Sequence, residues 1–578
     1  MMTLNTYKYF YPYKAFTLRA LLRLILFAFP VFTGGNPLLA QTNESLPWWK
    51  SASIYQVYPR SFMDSDNDGI GDIDGIISKL DYIKNLGFEA IWFSPFFKSP
   101  QQDIGYDISD YKKVDPEYGK EGDLERLIDE VHKRDMKVIF DLVLNHTSIE
   151  HPWFQESLDS TSQKADWYVW QKGKGKKAPN NWKNIIGIKG WQYAEEKDQW
   201  YYTSFLPFQA DLNWRNPEVV EAMFNMVRYW LDRGVDGFRL DIFNVILEDA
   251  EFRDNPKGLN PLPRPENPAG GFQNLEHNLN HPENYQVAKE LRKVLDEYED
   301  RFLIGEVMGE HQKIKGFLSQ GKGLHSIFLF DLIYFDFSAK FFKEIIKEFE
   351  NHYPEPLVPV YVFSNHDVRR SIGRVDNDHE KAKLLALFQL TARGIPVVYQ
   401  GEEFGSSDLR IHKKEALDPL VDYINLPQFV LDRLPFLINR DECRTPMQWS
   451  SDPQGGFTEA DTTWLPVNPE YKTVNASRAV YNKNSLLHTY RDLLHLRAEN
   501  EVLKYGSARI LEDSAIPKNV YGLEREYNGQ KVWVLINFGK KTQTLENQGE
   551  LKRVLFAHKG SVNDQNIVLP PFSGIILK

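Results

Sequence analysis

Three carboxylates end three separate apolar runs of this 578-residue chain: Asp241 in Phe238-Arg239-Leu240-Asp241, Glu306 in Gly305-Glu306-Val307 and Asp367 in Asn365-His366-Asp367. A fourth run ends Asp141-Leu142-Val143-Leu144-Asn145-His146. Collecting carboxylates is costly, because like charges raise one another's pKa. Cleavage of a glycosidic bond needs such a set. One carboxylate must be ionised to attack or stabilise an oxocarbenium-like centre, and another must keep a proton for the leaving oxygen. Arg239 and Asp241 are two residues apart, so on a strand they face the same way, and the guanidinium can hold the carboxylate ionised and oriented. Any one of these acids alone reads as a strand-end salt bridge; the set reads as a catalytic mouth.

A second cluster is Asp64-Ser65-Asp66-Asn67-Asp68-Gly69-Ile70-Gly71-Asp72. Alternating acids around a glycine suit a hard cation bound by oxygens. An EF-hand would need Glu at the twelfth position, where Gly75 stands, so Asp72 and the Ile70 carbonyl are expected to complete a ring begun by Asp64, Asp66 and Asp68.

The elements that must position these groups follow from the apolar pattern. Eight runs rich in Val, Ile, Phe and Tyr cover residues 53–62, 90–95, 137–146, 237–242, 302–307, 326–332, 359–367 and 395–402. Helical patterns lie between them, at 122–134, 217–233, 285–298 and 379–393. Eight strands alternating with helices predict an α/β fold, a (β/α)8 TIM barrel, whose strand ends carry the active site. From Asp141 to Asp241 there are about 100 residues where a strand–helix unit takes roughly 30, so a small domain is inserted after the third strand. Residues 254–282 form a second, Pro/Asn/Gly-rich excursion, and 404–483 a third long loop. Short alternating segments near the end, such as 532–538 and 553–557, predict a C-terminal antiparallel β-domain. The expected boundaries are a barrel over 47–146 and 215–495, an inserted domain B over 147–214 and a β-sandwich over 496–578.

Composition narrows the function further. A net charge of −11, from 69 basic and 80 acidic residues, argues against nucleic acid as a partner. With one cysteine, Cys443, no intramolecular disulfide can form. Residues 1–40 read as a signal peptide: Lys8, Lys14, Arg19 and Arg23 precede an uncharged stretch over 24–40, and Gln41 follows the expected cleavage site. The apolar run is too short for a stable membrane span, so an exported protein, periplasmic or secreted, is expected.

The segments 141–146, 237–241, 305–307 and 363–367 resemble the signature regions of glycoside hydrolase family 13, the α-amylase family. Gly71-Asp72-Ile73-Asp74-Gly75-Ile76 and residues 394–405 match as well. The resemblance runs from about Trp48 to the C-terminus. It implies retaining hydrolysis with Asp241 as nucleophile, Glu306 as general acid/base and Asp367 as the third carboxylate, which binds hydroxyls and distorts the ring. It places Arg239, His146 and His366 against the sugar or the nucleophile. Within the family the chain is most similar to the oligo-1,6-glucosidase and α-glucosidase branch, through Gln209-Ala210-Asp211-Leu212-Asn213, Asp103-Ile104-Gly105-Tyr106 and Arg444-Thr445-Pro446-Met447-Gln448-Trp449. The branch implies an Asp103–Arg444 ion pair closing the glucose pocket, with Tyr106 stacked on the sugar. A blocked pocket admits only a chain end, so exo-action on a small oligosaccharide follows. The branch also implies Ca2+ or Mg2+ in the 64–72 loop, in a structural role. Ile242, after the nucleophile, is bulky like the valine that accompanies α-1,6 cleavage in relatives, which leans the linkage toward α-1,6, with α-1,4 open. Two other readings use the same scaffold: a trehalose synthase or sucrose isomerase, and a non-catalytic sugar-binding relative. Retention of all three carboxylates disfavours the last.

Overall fold

The computed structural model describes residues 46–578, except 260, 261, 265, 266, 425, 432, 435, 436, 513 and 548–552. The expected signal peptide, 1–40, lies outside the described residues. Eight parallel strands close a barrel: β1 (Ile54–Val57), β2 (Ala90–Phe93), β3 (Lys137–Leu142), β4 (Gly237–Leu240), β5 (Phe302–Gly305), β6 (Ser326–Leu329), β7 (Val360–Val362) and β8 (Ile395–Tyr399). Each pairs with its neighbour, and β1 closes the ring on β8 through Ile54 opposite Val397. The strands are shorter than the apolar runs. Pro59 opens a 3-10 turn directly after β1, and Phe330 begins another after β6. Helices α1 (Ile73–Leu86), α2 (Asp123–His132), α3 (Pro217–Leu231), α4 (Asn284–Leu295), α5 (Ala339–His352) and α6 (His379–Thr391) cover the outside. Caps set their ends: Asp72 accepts from the Gly75 N–H to start α1, Asn216 accepts from Glu218 to start α3, and Gly87 ends α1 at φ 102°, a conformation that glycine adopts without penalty.

Alternation along β4 divides the labour. Phe238 and Leu240 join the apolar layer under the helices, while Gly237 and Arg239 face the axis. Gly237 is required there: a Cβ would meet the Phe302 carbonyl oxygen at 2.7 Å. The axis is filled by Ile54, Trp92, Ile139, Ile304, Phe328 and Val397 among others, with Trp48 and Trp49 packed against them. Trp49 stacks on Phe302 at 5.6 Å. Among the described residues no helix is long and apolar enough to cross a membrane.

After β3 the chain leaves the barrel. His146–Ser148 pairs with Gln209–Asp211, and a three-stranded antiparallel sheet forms from Trp170–Gln171, Trp191–Ala194 and Gln199–Tyr202. Trp182, Trp191 and Tyr202 form its core. Phe252, just before the excursion after β4, packs on the same core, and Asn181 donates to the Asn255 carbonyl at 2.9 Å. Two insertions distant in sequence therefore share one polar seam.

The C-terminal β-domain is a five-stranded antiparallel sheet, β9 (Ser507–Ile510), β10 (Val520–Tyr527), β11 (Gln530–Asn537), β12 (Val554–His558) and β13 (Ser573–Leu577), in the order β9-β10-β11-β13-β12. A three-stranded sheet accompanies it, with Leu535, Leu545, Leu569 and Ile575 in one apolar cluster. The expected boundary at 496 falls inside a helix, Leu486–Glu499, because Leu487, Tyr490, Leu493 and Leu494 of that helix are buried in the main core. Strands begin only at Ser507.

Arg525 joins the β-domain to the barrel. It is fully buried and donates to the carbonyls of Thr391 at 2.6 Å, Gly506 at 2.7 Å and Ser507 at 3.0 Å. Burial pushes its guanidinium down to about 9. Arg497 similarly donates to the Gly394 carbonyl at 2.5 Å and to the Leu390 and Ala392 carbonyls at 3.2 Å. Unpaired buried carbonyls are costly, so Arg525→Met is expected to lower stability by about 2–4 kcal/mol, read as a fall in the denaturant midpoint. An unchanged midpoint would refute this.

Candidate active site

Arg239 is the hub. Its Nη1 donates to Asp141 Oδ1 at 2.8 Å and Oδ2 at 3.0 Å, and to Asp241 Oδ1 at 2.8 Å. Its Nη2 donates to Glu306 Oε2 at 2.5 Å. The same Glu306 oxygen accepts from the Ile242 N–H at 3.2 Å. Three carboxylates from the ends of β3, β4 and β5 thus share one guanidinium. Asp241 Oδ2 and Glu306 Oε1 take no hydrogen bond from the described residues, so each acid keeps one oxygen for a substrate. Their side chains are each 10% exposed, and Asp367 is 30% exposed, as expected for a narrow pocket.

Burial pushes the Glu306 carboxyl up to about 7; Arg239 opposes this, and Asp241 and Asp367 reinforce it. Burial likewise pushes Asp241 up to about 7 against the pull of Arg239, and Asp141 up to about 6. The cluster has three acids and one fixed cation, so it retains a proton near neutral pH and titrates as a set. Asp367 behaves oppositely. Burial disfavours its charge, but His366, Arg444 and Arg440 outweigh this and hold the carboxyl well below the usual range.

His366 lies between Gln56, 2.8 Å from Nδ1, and the Tyr106 hydroxyl, 2.6 Å from Nε2. Tyr106 in turn donates to Asp141 Oδ2 at 3.0 Å, as does Trp92 Nε1 at 3.1 Å. The Tyr106 and His366 rings are parallel, 5.4 Å apart. His146 is buried with Nε2 unpaired among the described residues, and burial pushes its imidazole down to about 3. It is therefore neutral and has a free ring nitrogen.

The closing ion pair differs from the expected one. Asp103 accepts from Arg440 Nη2 at 2.6 Å and from Gln209 Nε2 at 3.0 Å. Arg444 instead donates to Asp367 Oδ1 at 2.8 Å and to the His366 carbonyl at 2.8 Å. The reason is a second acid: Asp418, fully buried, accepts from Arg440 Nε at 3.0 Å and Nη2 at 2.8 Å and turns that guanidinium onto Asp103. Arg440 and Asp418 are the site residues that sequence reading left out, and Asp141 and Gln209 stood in its motifs without a role. Arg440 stood in view, one helical turn before Arg444, and Asp141 ended the third strand; nothing local marks Asp418.

In the 64–72 loop, carboxylate oxygens of Asp64, Asp66 and Asp72 lie within 4.8 Å of one another. None of the three has an ion-pair partner among the described residues. Asp68, expected in the same ring, lies outside this group of three. It is exposed, and its Oδ1 accepts from the Ile70 N–H at 2.8 Å in a turn of its own. The Ile70 carbonyl accepts no hydrogen bond from the described residues. Three clustered acids without a counter-charge fit a hard cation.

An eight-stranded barrel with Arg-bridged carboxylates on adjacent strand ends defines a glycoside hydrolase. The alpha amylase catalytic domain model matches residues 56–506, and the chain belongs to the α-amylase family. It is 37% identical over 526 residues to an oligo-1,6-glucosidase of Parageobacillus thermoglucosidasius, covering 86% of this chain and 91% of that one. It is 38% identical over 548 residues to a probable alpha-glucosidase of Rhizobium meliloti, covering 92% and 97%. Among solved structures, an alpha-glucosyl transfer enzyme superposes with a TM-score of 0.84 at 36% identity, covering 92% and 99%. An isomaltulose synthase from Erwinia rhapontici gives 0.82 at 33%, also covering 92% and 99%.

Proposed function

We propose that this enzyme is an exo-acting retaining α-glucosidase that releases α-glucose from the non-reducing ends of α-glucosidic oligosaccharides. The observation that carries it is the single guanidinium of Arg239 holding one oxygen each of Asp241 and Glu306 and leaving the other oxygen of each free. Asp241 Oδ2 attacks the anomeric carbon while Glu306 Oε1 protonates the leaving oxygen. Glu306 then takes a proton from the water that cleaves the glycosyl–Asp241 ester. Asp367, kept ionised by Arg444, accepts from ring hydroxyls. The chain Asp103–Arg440–Asp418 closes the pocket beyond the terminal glucose, which supports action at chain ends.

The linkage reading leans toward α-1,6. Ile242 adopts φ 31°, uncommon for a β-branched residue, and is packed in a cluster with Ile185, Ala269 and Leu275. Its bulk therefore stiffens the leaving-sugar side. One such position is worth about 1–3 kcal/mol of discrimination. Incubation with maltose, isomaltose, sucrose and trehalose, followed by NMR before mutarotation, is expected to give α-glucose fastest from isomaltose. The resemblance to glucosyl-transfer and isomaltulose-synthase structures supports a second reading, transfer or isomerisation. A rearranged disaccharide with little glucose would establish that reading instead, and no turnover on any of the four would refute both.

A structural Ca2+ or Mg2+ held by Asp64, Asp66 and Asp72 is part of the proposal. It would neutralise the three acids and tie the loop to the start of α1, which Asp72 caps. A tightly bound ion at 100 times its Kd adds about 3 kcal/mol, so chelator should lower the thermal midpoint and Asp64→Asn should remove that response. A midpoint indifferent to chelator in the metal-analysed protein would refute the site. Export completes the reading, with Gln41 as the expected first residue of the mature protein in mass spectra of the secreted or periplasmic fraction.

A further inference from the structure

A groove of about 1300 Å3 lies between the 64–72 loop, α1, the 449–461 loop and the short helix Ala476–Tyr481. It shares no lining residue with the candidate active site. Small-molecule clefts commonly run to roughly 300–1,000 Å3, so this one has room for several linked rings. Its chemistry is uneven. Ser78, Ser450, Ser477 and Thr458 line it, with the acids Asp452, Glu459 and Asp461 and, at the loop, Asp64; Ser78 Oγ donates to the Gly75 carbonyl and Ser450 Oγ to Asp452 Oδ2, each at 2.7 Å. These acids have no ion-pair partner among the described residues. The one cation, Lys79, has its Nζ 4.8 Å from the centre of the Trp449 ring. At the rim, Tyr481 ends its helix 86% exposed, next to Val480 at 46%. The unpaired acids would repel an anionic ligand, and a wholly apolar one would strand their carboxylates. A chain of sugar rings meets both demands: its hydroxyls donate to the carboxylates and its apolar ring faces cover an aromatic side chain.

We propose that this groove is a second carbohydrate-binding site, which holds an α-gluco-oligosaccharide away from the catalytic pocket with Tyr481 as its stacking platform. The inference rests on the reading of the enzyme as one that meets α-glucosidic oligosaccharides. The site would raise the local concentration of chain ends without touching the reacting bond.

The test is titration of isomaltohexaose into the full-length Asp241→Asn protein, with and without Tyr481→Ala. Two binding events are expected in Asp241→Asn. Tyr481→Ala should weaken one of them about tenfold and leave the other unchanged, as truncating a stacked anchor does. Tyr481→Phe, which keeps the ring, should retain both. Tyr481 is almost wholly in solvent, and an unchanged thermal midpoint checks that the variants are folded. A single event insensitive to Tyr481→Ala, or none, overturns the proposal. A single event that Tyr481→Ala abolishes supports the groove and refutes the pocket reading, so the two failures are distinguishable. In the otherwise unmodified enzyme, Tyr481→Ala should leave hydrolysis of p-nitrophenyl α-glucoside unchanged, because that substrate is too small to reach from one site to the other.

Discussion

Glu306→Gln is expected to lower kcat on isomaltose and maltose by roughly 100- to 10,000-fold, the range in which general acid catalysis operates. The loss should depend on the leaving group. Isomaltose leaves as an alkoxide and needs the proton; 2,4-dinitrophenol does not. With a dinitrophenyl α-glucoside the variant should therefore form the glycosyl–Asp241 ester at close to the normal rate and stall there, seen as a burst. Azide, which attacks the ester without base help, should restore turnover. The pH profile separates this role from mere packing. Below the range near 7 set by burial, Glu306 carries its proton; above it, the acid is lost and the rate falls. That alkaline limb should vanish in Glu306→Gln. A variant with unchanged kcat, or one that keeps the limb, would remove Glu306 from the acid role.

Arg440→Met is the second large effect. Arg440 faces Asp103 at 2.6 Å and Asp418 at 2.8 Å, both acids almost completely buried. Removing one partner of a buried ion pair leaves an uncompensated charge and costs about 3–5 kcal/mol. Here one substitution strands two charges, so the upper part of that range is expected in urea unfolding. Adding Asp418→Asn to Arg440→Met should recover part of the loss, because it removes one stranded charge. KM on isomaltose should rise more than kcat falls, because Asp103 loses its hold at the closed end of the pocket while the Arg239 cluster is untouched. If Arg440→Met unfolds like the parent, the wall is not braced as the geometry requires.

The barrel was legible in the sequence because each strand is apolar nearly throughout and most of the helices between them are amphipathic, so the period changes at those junctions; α6, buried throughout from Ala382 to Thr391, is the exception. Asp241, Glu306 and Asp367 were legible for the same reason: they sit where a strand pattern stops. The strand ends were less so. Residues 359–367 read as one strand, yet only Val360–Val362 pair in the sheet, since the segment must open to present His366 and Asp367. The partner of Asp103 was misread because a guanidinium's direction depends on a third group. Asp418 lies in a long loop after β8 with no periodicity to mark it, and Leu420 beside it packs on Leu206 and Phe208 of the inserted segment. The spacing of Asp68 fits a cation ring as well, while the carboxylates that lie together are those of Asp64, Asp66 and Asp72.

The closure of the ring, with Ile54 paired to Val397, has a consequence for biosynthesis. At roughly 5–20 residues per second, a ribosome needs roughly 20–70 s after making the first strand to deliver the last one. Through that interval the nascent chain carries β1 with one edge unsealed, and the axial layer of Trp92, Ile139 and Ile304 remains open to solvent. Barrel completion is therefore a late, long-range event, slow by its topology. The stretch of chain made before it is the part of this protein with the greatest need of a chaperone.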